Sequence, residues 1–226
     1  MEEESKRLLE EIKTPTVREI AQQTFYDGVI GDHPVTIVQS GIGKVNATIA
    51  TALLIQEFNV EAVINTGSAG GIGQDLNIGD LVVAHDLSYH DADSRSFGYT
   101  YGQIPQMEAR FLSDEFLLEK IKEAANIQKW PVKEGLILTG DSFISDAAQI
   151  HTIKNFFPEA LVLEMEGAAV GQTCFQFGVP FAVIRAVSDT ADAEANVDFD
   201  EFVLQAGKKS ADLVLALIQK IADETK

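Results

Sequence analysis

The sequence predicts a single α/β domain, residues 1–226, with a sheet covered by helices on both faces. Three observations carry this. Ala160-Leu161-Val162-Leu163 is a short continuous apolar run bounded upstream by Pro158 and followed by Gly167-Ala168-Ala169-Val170. That is the pattern of a strand buried on both sides leading into a helix packed closely on the sheet. Phe181-Ala182-Val183-Ile184-Arg185-Ala186-Val187 repeats the plan, apolar except for one arginine, and opens into Ser188-Asp189. Finally, a chain of 226 residues with 46% hydrophobic content can bury one sizeable core, and nothing in its composition asks for two.

In such sheets ligands bind beyond the carboxyl ends of the strands, which is where Glu164, Met165 and Glu166 sit on one run and Ser188 and Asp189 on the other. Carboxylates at these places can merely cap helices. Two strands ending alike, one with an arginine inside it, favour a cavity into which charge is delivered.

Charge and composition narrow the partners. With 17 basic against 35 acidic side chains the formal charge is −18, which repels phosphate backbones and anionic lipid surfaces, so neither nucleic acid nor membrane is expected. No apolar run approaches membrane-spanning length, and the acidic start Met1-Glu2-Glu3-Glu4 is the opposite of a secretory leader. The single cysteine, Cys174, cannot form an internal disulfide and suits a reducing compartment, so the expected location is cytoplasmic.

Taken in order, residues 2–12 read as a charged surface helix with Leu8, Leu9 and Ile12 on one side and Pro15 soon after its end. Glutamates in the first turn suit the helix dipole, which is an ordinary account of Glu4. Residues 24–30 and 35–39 are β-rich runs joined by Gly31-Asp32-His33-Pro34, a hairpin-like connection. Ser40-Gly41-Ile42-Gly43-Lys44 then leads into a helix over 45–58. It fails as a phosphate loop, because Asn46 stands where the dinucleotide fingerprint wants glycine and Val45 where the P-loop wants Ser or Thr. What remains is a tight turn whose backbone can approach a ligand.

Residues 62–66 form another buried strand, followed by Gly67-Ser68-Ala69-Gly70-Gly71-Ile72-Gly73, a stretch with almost no side chains that something must approach closely. Residues 81–84 are the next strand. His85, His90, Asp91 and Asp93 follow without the spacing of a metal site, and no metal is expected. Residues 97–105 lack periodicity yet hold three aromatics, the mark of a segment covering a pocket or an interface. An amphipathic helix over 113–125, capped by Ser113-Asp114-Glu115, precedes a strand over 135–139 whose exit is Gly140-Asp141-Ser142-Phe143-Ile144. A long amphipathic helix over 199–222 ends the chain.

Taken together, these strand exits resemble those of the bacterial 5′-methylthioadenosine/S-adenosylhomocysteine nucleosidases, members of the nucleoside phosphorylase superfamily. Seven stretches carry the likeness in order: Met1-Glu2-Glu3-Glu4, Ser40-Gly41-Ile42-Gly43-Lys44-Val45, Asn65-Thr66-Gly67-Ser68-Ala69-Gly70-Gly71, Tyr89-His90-Asp91-Ala92-Asp93, Phe97-Gly98-Tyr99, Glu164-Met165-Glu166 and Arg185-Ala186-Val187-Ser188-Asp189. The resemblance implies a single-domain three-layer α/β/α fold with a mixed central sheet, a homodimer, and hydrolysis of the N-glycosidic bond of 5′-methylthioadenosine, S-adenosylhomocysteine and 5′-deoxyadenosine, with no cofactor and no metal. The family usually carries a short apolar strand ahead of the Met-Glu-Glu-Glu stretch, and this sequence begins at that stretch. That strand is therefore expected to be absent. Its neighbours would then hold unpaired backbone groups, each costing on the order of 1–3 kcal/mol if buried and unsatisfied, unless another arrangement fills the gap.

The chemistry needs a proton on the leaving base, an oxocarbenium-like ribosyl centre and a water on the opposite face, which two separated carboxyls can supply. By resemblance Asp189 is the acid at adenine N7, oriented by Ser188, and such an acid must have its pKa raised by burial to serve near pH 7. Glu4 is the base, with Ser68 and Arg185 positioning the water. Glu166 takes the ribose hydroxyls, Met165 packs on the sugar, and Phe143 and Ile144 read the adenine. Met1, Ile42 and Phe199, with Phe97 and Pro105 from a second subunit, form the 5′-alkylthio site. Plainer accounts exist for several of these. Arg185 can simply bridge to Glu164 or Glu166, Met165 can be core, and Phe199 can belong only to the last helix. Two other functions use the same residues: a phosphorylase that replaces water with phosphate, and a nucleoside-binding protein without activity. A phosphate site wants several cations, and Arg185 and Lys44 are the only basic residues at the predicted sheet exits.

Overall fold

The structure, a computed structural model, describes residues 2–190 and 195–224, with only the backbone course for 2–4, 195–201 and 223–224. Helix α1 (Glu2–Leu9) is followed by β1 (Lys13–Ile20), β2 (Gln23–Ile30) and β3 (His33–Val38), then α2 (Lys44–Phe58). Next come β4 (Val63–Gly71), β5 (Leu81–Tyr89), the two-residue β6 (Phe111–Leu112), α3 (Glu115–Ile127), β7 (Val132–Thr139) and α4 (Ala147–Phe156). The chain closes with β8 (Ala160–Glu164), α5 (Gly167–Phe177), β9 (Phe181–Asp189) and α6 (Ala195–Glu224).

Two sheets form. β1, β2 and β3 make an antiparallel meander, and β6-β5-β7-β8-β4-β9 a mixed sheet. A further antiparallel pairing of β5 with β9 closes the second sheet on itself, so β5, β7, β8, β4 and β9 form a ring and only β6 stands outside it. Helices cover both faces, and alternate residues along the strands pack into opposite layers, as a period of two requires. Ala182, Ile184 and Ala186 of β9 pack with Leu117, Ile121, Leu213 and Leu217 of α3 and α6. Phe181, Val183 and Val187 of the same strand pack with Ala168, Ala169 and Cys174 of α5 and Ala47 of α2. The expected α/β/α layering with a mixed central sheet is what the chain adopts.

Several elements depart from the sequence expectation. The first helix stops at Leu9, short of Ile12. Strand β1 was not expected, because Pro15 and an almost wholly exposed face hide it. It pairs with β2 through a turn in which Ala21 and Gln22 both take left-handed backbone, φ 50° and 62°, the geometry that matches strand twist in a two-residue hairpin. The glycine-rich stretch after Thr66 extends the strand expected over 62–66. It continues β4, whose residues 63–70 run parallel to β9 before Gly70 and Gly71 turn to pair antiparallel with Leu163 and Val162 of β8. Glycine suits that switch, since a Cβ on Gly71 would come within 3.1 Å of the Val187 side chain, tighter than ordinary contact. Ser188 and Asp189 likewise lie inside β9 rather than beyond it, and α4 fills a region the sequence left unassigned.

Among the described residues, β3 pairs with β2 alone, and no ladder joins the meander to the ring. Helix α1 spans this boundary by packing on α6, where Arg7 Nε donates to Asp212 at 2.8 Å. No described helix is long and apolar enough to cross a membrane.

Cys174 is fully buried in α5, and burial pushes its thiol up to about 12. Because the thiolate is the reactive species, the native protein should show no reaction with a chromogenic thiol reagent at neutral pH, and one equivalent after unfolding in guanidinium. A rapid native equivalent would mean that α5 does not seat on the sheet as described.

Candidate active site

The register of the ring decides which side chains meet. β7 pairs with β8 so that Thr139 stands opposite Glu164, and β4 pairs with β9 so that Gly67 stands opposite Arg185. Gly67 has no side chain to compete for the space above the sheet, and the Arg185 guanidinium extends across it to Asn65, whose Oδ1 accepts from Nη2 at 2.6 Å. The same Nη2 donates to Glu164 in a very short contact, and to Glu166 Oε2 at 3.4 Å. Arg185 and Glu164 are both 2% exposed at the side chain. A charge removed this far from water must be paired.

Glu164 is satisfied from every side. Its Oε2 accepts the backbone N–H groups of Glu166 at 3.0 Å and Gly167 at 2.7 Å, while Thr139 Oγ1 donates to Oε1. Thr139 Oγ1 itself accepts from the N–H of Ala168 at 2.7 Å. Glu164 and Thr139 thus take up the open N–H groups at the start of α5, where the helix dipole also favours negative charge. Gly167 makes this possible: a Cβ there would lie 3.1 and 3.2 Å from the Glu164 oxygens.

Above this network opens a cavity of about 1010 Å³. Ser68, Met165, Glu166, Arg185, Ser188 and Asp189 line it, with Ile42 and Phe143 at the rim, 51% and 46% exposed. A small recess beside it is bounded by Phe143, Ile144, Met165 and Asp189. The volume is at the top of the range of about 300–1,000 Å³ for small-molecule sites. Part of it is the space between β3 and β4, lined by Val35, Ile37, Ile64 and Leu217. At one end Asp189 is 2% exposed and accepts a hydrogen bond from Ser188 Oγ at 2.8 Å. At the other, Glu166 Oε1 accepts the Gly43 N–H at 2.9 Å. The cavity therefore presents one buried carboxyl held by a hydroxyl and a second held between a backbone amide and a guanidinium.

Of the residues singled out in the sequence, Ser68, Met165, Glu166, Arg185, Ser188, Asp189, Ile42 and Phe143 line the cavity, and Ile144 lines the recess beside it. Met1 lies outside the described residues, as do the side chains of Glu4 and Phe199. Phe97 and Pro105 do not line the cavity of their own chain, and Phe97 is 83% exposed. His85 is exposed beside Asp86, His90 is buried, and Asp93 pairs with Arg95. The sequence placed Glu164 at a ligand-facing strand end and as a possible bridge partner of Arg185, and Gly43 in a turn able to approach a ligand, but gave Thr139 and Asn65 no individual role. The signal for Glu164 was present: of two carboxylates two positions apart at a strand end, one had to be neutralised inside the protein.

A family model described as the phosphorylase superfamily matches residues 1–219. The 5′-methylthioadenosine/S-adenosylhomocysteine nucleosidase of Staphylococcus saprophyticus is 48% identical over 221 residues, covering 98% of this chain and 97% of that protein. Among solved structures, the corresponding nucleosidase of Neisseria meningitidis in complex with methylthio-immucillin-A superposes with TM-score 0.95 at 43% identity, covering 97% of this chain and 95% of that one. The enzyme from Streptococcus pneumoniae with the transition-state inhibitor MT-ImmA gives 0.94 at 42%, covering 98% and 96%.

Replacing Glu164 by glutamine should destabilise the protein by about 3 kcal/mol, because breaking one side of a buried ion pair typically costs 3–5 kcal/mol and glutamine keeps part of the N–H acceptance. Urea unfolding at pH 7 measures it. A loss under about 1 kcal/mol would show that Arg185 finds equivalent pairing without Glu164.

Proposed function

The chain belongs to the phosphorylase superfamily and, within it, to the 5′-methylthioadenosine/S-adenosylhomocysteine nucleosidases, and from that premise we propose that it hydrolyses the N-glycosidic bond of these two nucleosides, releasing adenine and the thioribose product. 5′-Deoxyadenosine is a further substrate on this reading, since it keeps the adenine and ribose that the site addresses. The observation that carries the reading is the buried Ser188–Asp189 pair facing the same cavity as Glu166 and Arg185.

Asp189 donates its proton to adenine N7 as the bond to C1′ breaks, and the Ser188 hydroxyl at 2.8 Å orients the carboxyl for that transfer. Glu166, already fixed by Gly43 and Arg185, accepts the ribose hydroxyls, and its charge favours the positive character that develops on the sugar. Met165 packs on the ribose. Phe143 stacks on adenine while the backbone of Phe143 and Ile144 reads its edge. Glu4 takes a proton from the attacking water, which Ser68 and Arg185 position. No cofactor or metal enters these steps. Among the described residues lining the cavity, Arg185 is the only lysine or arginine, and it is engaged with Glu164 and Asn65. A phosphate ion would find little to bind it, which supports water as the nucleophile.

The enzyme acts as a single-domain protomer of a cytoplasmic homodimer, with Phe97 and Pro105 of the partner subunit completing the 5′-alkylthio site beside Ile42, Met1 and Phe199. Support comes from apolar side chains left facing outward: Phe97 at 83%, Val45 and Ile49 of α2 at 70% and 37%, and Phe175 and Phe177 of α5 at 50% and 44%. At roughly 25 cal/mol per Å², covering such a surface favours association by several kcal/mol before entropic costs.

Adenine release from 5′-methylthioadenosine should proceed at the same rate with and without phosphate, and Asp189→Asn should lower kcat by about 10²–10⁴-fold, the usual worth of a general acid. A phosphate requirement would make the protein a phosphorylase. A loss below about tenfold in Asp189→Asn would place the acid elsewhere.

Phe97→Ala should raise KM for 5′-methylthioadenosine, and dilution through the dissociation range should lower kcat/KM. Full activity in isolated monomers, or an unchanged KM in the variant, would end the shared-pocket reading.

A further inference from the structure

Three segments far apart in sequence meet behind Glu166, outside the cavity lining. Lys44 Nζ lies 3.0 and 2.8 Å from the two oxygens of Asp91 and 3.6 Å from Asp141 Oδ2. Asp141 Oδ1 accepts the backbone N–H of Lys44 at 2.8 Å, and the Asp141 N–H donates to Asp91 at 2.9 Å. The turn before α2 and the exits of β5 and β7 are thereby tied into one closed figure. Burial works to raise the Asp91 carboxyl, but the hydrogen bonds from Lys44 and from the Asp141 N–H outweigh it and hold the group below the ordinary carboxylate value. From beneath, the buried His90 ring presses on Gly140 so closely that a Cβ there would fall 2.3 Å from it, which leaves the chain leading to Asp141 little room to shift.

What this figure holds in place is Gly43. Its backbone is left-handed, φ 95°, and its N–H donates to Glu166 Oε1 at 2.9 Å. A Cβ at this position would meet Asp141 Oδ1 at 3.0 Å. Glu166 is therefore gripped at both oxygens: Oε2 faces Arg185, rooted in the core, and Oε1 faces an amide whose position depends on the next residue, Lys44.

We infer that Lys44, together with Asp91 and Asp141, is a positioning clamp that sets the Gly43 amide against Glu166 and so orients this carboxylate for the substrate. The inference rests on the reading of Glu166 as the group that binds the sugar. A structural role alone fits poorly. The side chains of Lys44, Asp91 and Asp141 are 28%, 27% and 50% exposed, and ion pairs this open to water add little to stability. Their geometric effect is larger than their energetic one, because small misplacements at a reacting centre are costly.

The test uses Lys44→Met, Lys44→Arg, Glu166→Gln and the double variant Lys44→Met/Glu166→Gln in the full-length chain. Lys44→Met should lower kcat on 5′-methylthioadenosine by about tenfold or more with little change in melting temperature, and Lys44→Arg should restore most of it. In the Glu166→Gln background, Lys44→Met should cost less than about twofold further, as expected when two residues act through one interaction. Hydrogen exchange of the segment containing the Gly43 amide provides a readout that needs no turnover. It should be slow in the unsubstituted protein, fast in Lys44→Met and slow again in Lys44→Arg. Unchanged exchange in Lys44→Met overturns the clamp whatever the activity, and faster exchange with unchanged kcat overturns its role in positioning. Equal losses in both backgrounds would show that Lys44 acts elsewhere than through Glu166. If the unsubstituted protein released no adenine, the proposed function would fail, while the exchange measurements would still decide whether the clamp exists.

Discussion

A guanidinium buried inside a β-ring is the constraint on which the rest of the site depends. Arg185 sits in the middle of β9 with 2% of its side chain exposed, and such a charge is tolerated only with close, well-directed partners. Four of the five ring strands contribute to its network: Asn65 from β4, Glu164 from β8, Thr139 from β7 by way of Glu164, and Arg185 itself. Closure of the ring by the β5–β9 pairing fixes how far apart these strands can be. The net stability gained from a buried ion pair is small or negative compared with an apolar replacement, so its main effect lies in specificity. The register of β7 against β8 and of β4 against β9 is what brings Asn65, Glu164 and, through Glu164, Thr139 to the guanidinium. The start of α5 follows from the same network, because the Glu164 carboxylate takes up its free N–H groups.

The second constraint is the removal of side chains where the cavity must be. Gly67, Gly70 and Gly71 cost β4 some intrinsic strand preference, and the ladder with β9 compensates along nearly its whole length. In return β4 can change partners from β9 to β8 without a clash, and the ends of both strands open onto one space. The cavity is thus a property of β4's composition as much as of the residues that decorate it.

These two constraints also explain what could be seen in the sequence. β8 and β9 were legible because burial on both faces leaves continuous apolar runs, and Glu166, Met165, Ser188 and Asp189 were legible because they interrupt or follow those runs. β1 was not, since an exposed strand carrying Pro15 has no periodic signal. The strand over 62–66 was ended too early because glycine lowers strand preference, and tertiary pairing overrides that preference here. Lys44 illustrates a different limit. It was noticed as part of a failed phosphate motif, but its partners are Asp91 and Asp141, 47 and 97 positions away, and a relation of that kind has no signature along the chain.

The acidity of the chain, −18 overall, reaches into the site itself, where Glu164, Glu166 and Asp189 converge with one arginine. A cavity of this kind repels anions unless its carboxylates are individually neutralised. They are, though unequally. Glu164 is consumed by Arg185, Thr139 and the α5 amides, and so contributes structure rather than field. Glu166 lines the cavity, with the Gly43 amide at 2.9 Å and the guanidinium at 3.4 Å, and so presents negative charge there. On the proposed function, that negative charge lies beside a ribosyl group that becomes cationic as its bond to adenine breaks. The same charge that would weaken phosphate binding therefore interacts more favourably with the sugar as the transition state is approached. The chain's acidity, read at the outset only as a bar to nucleic acid and membranes, becomes at this scale part of the choice of water over phosphate as the nucleophile.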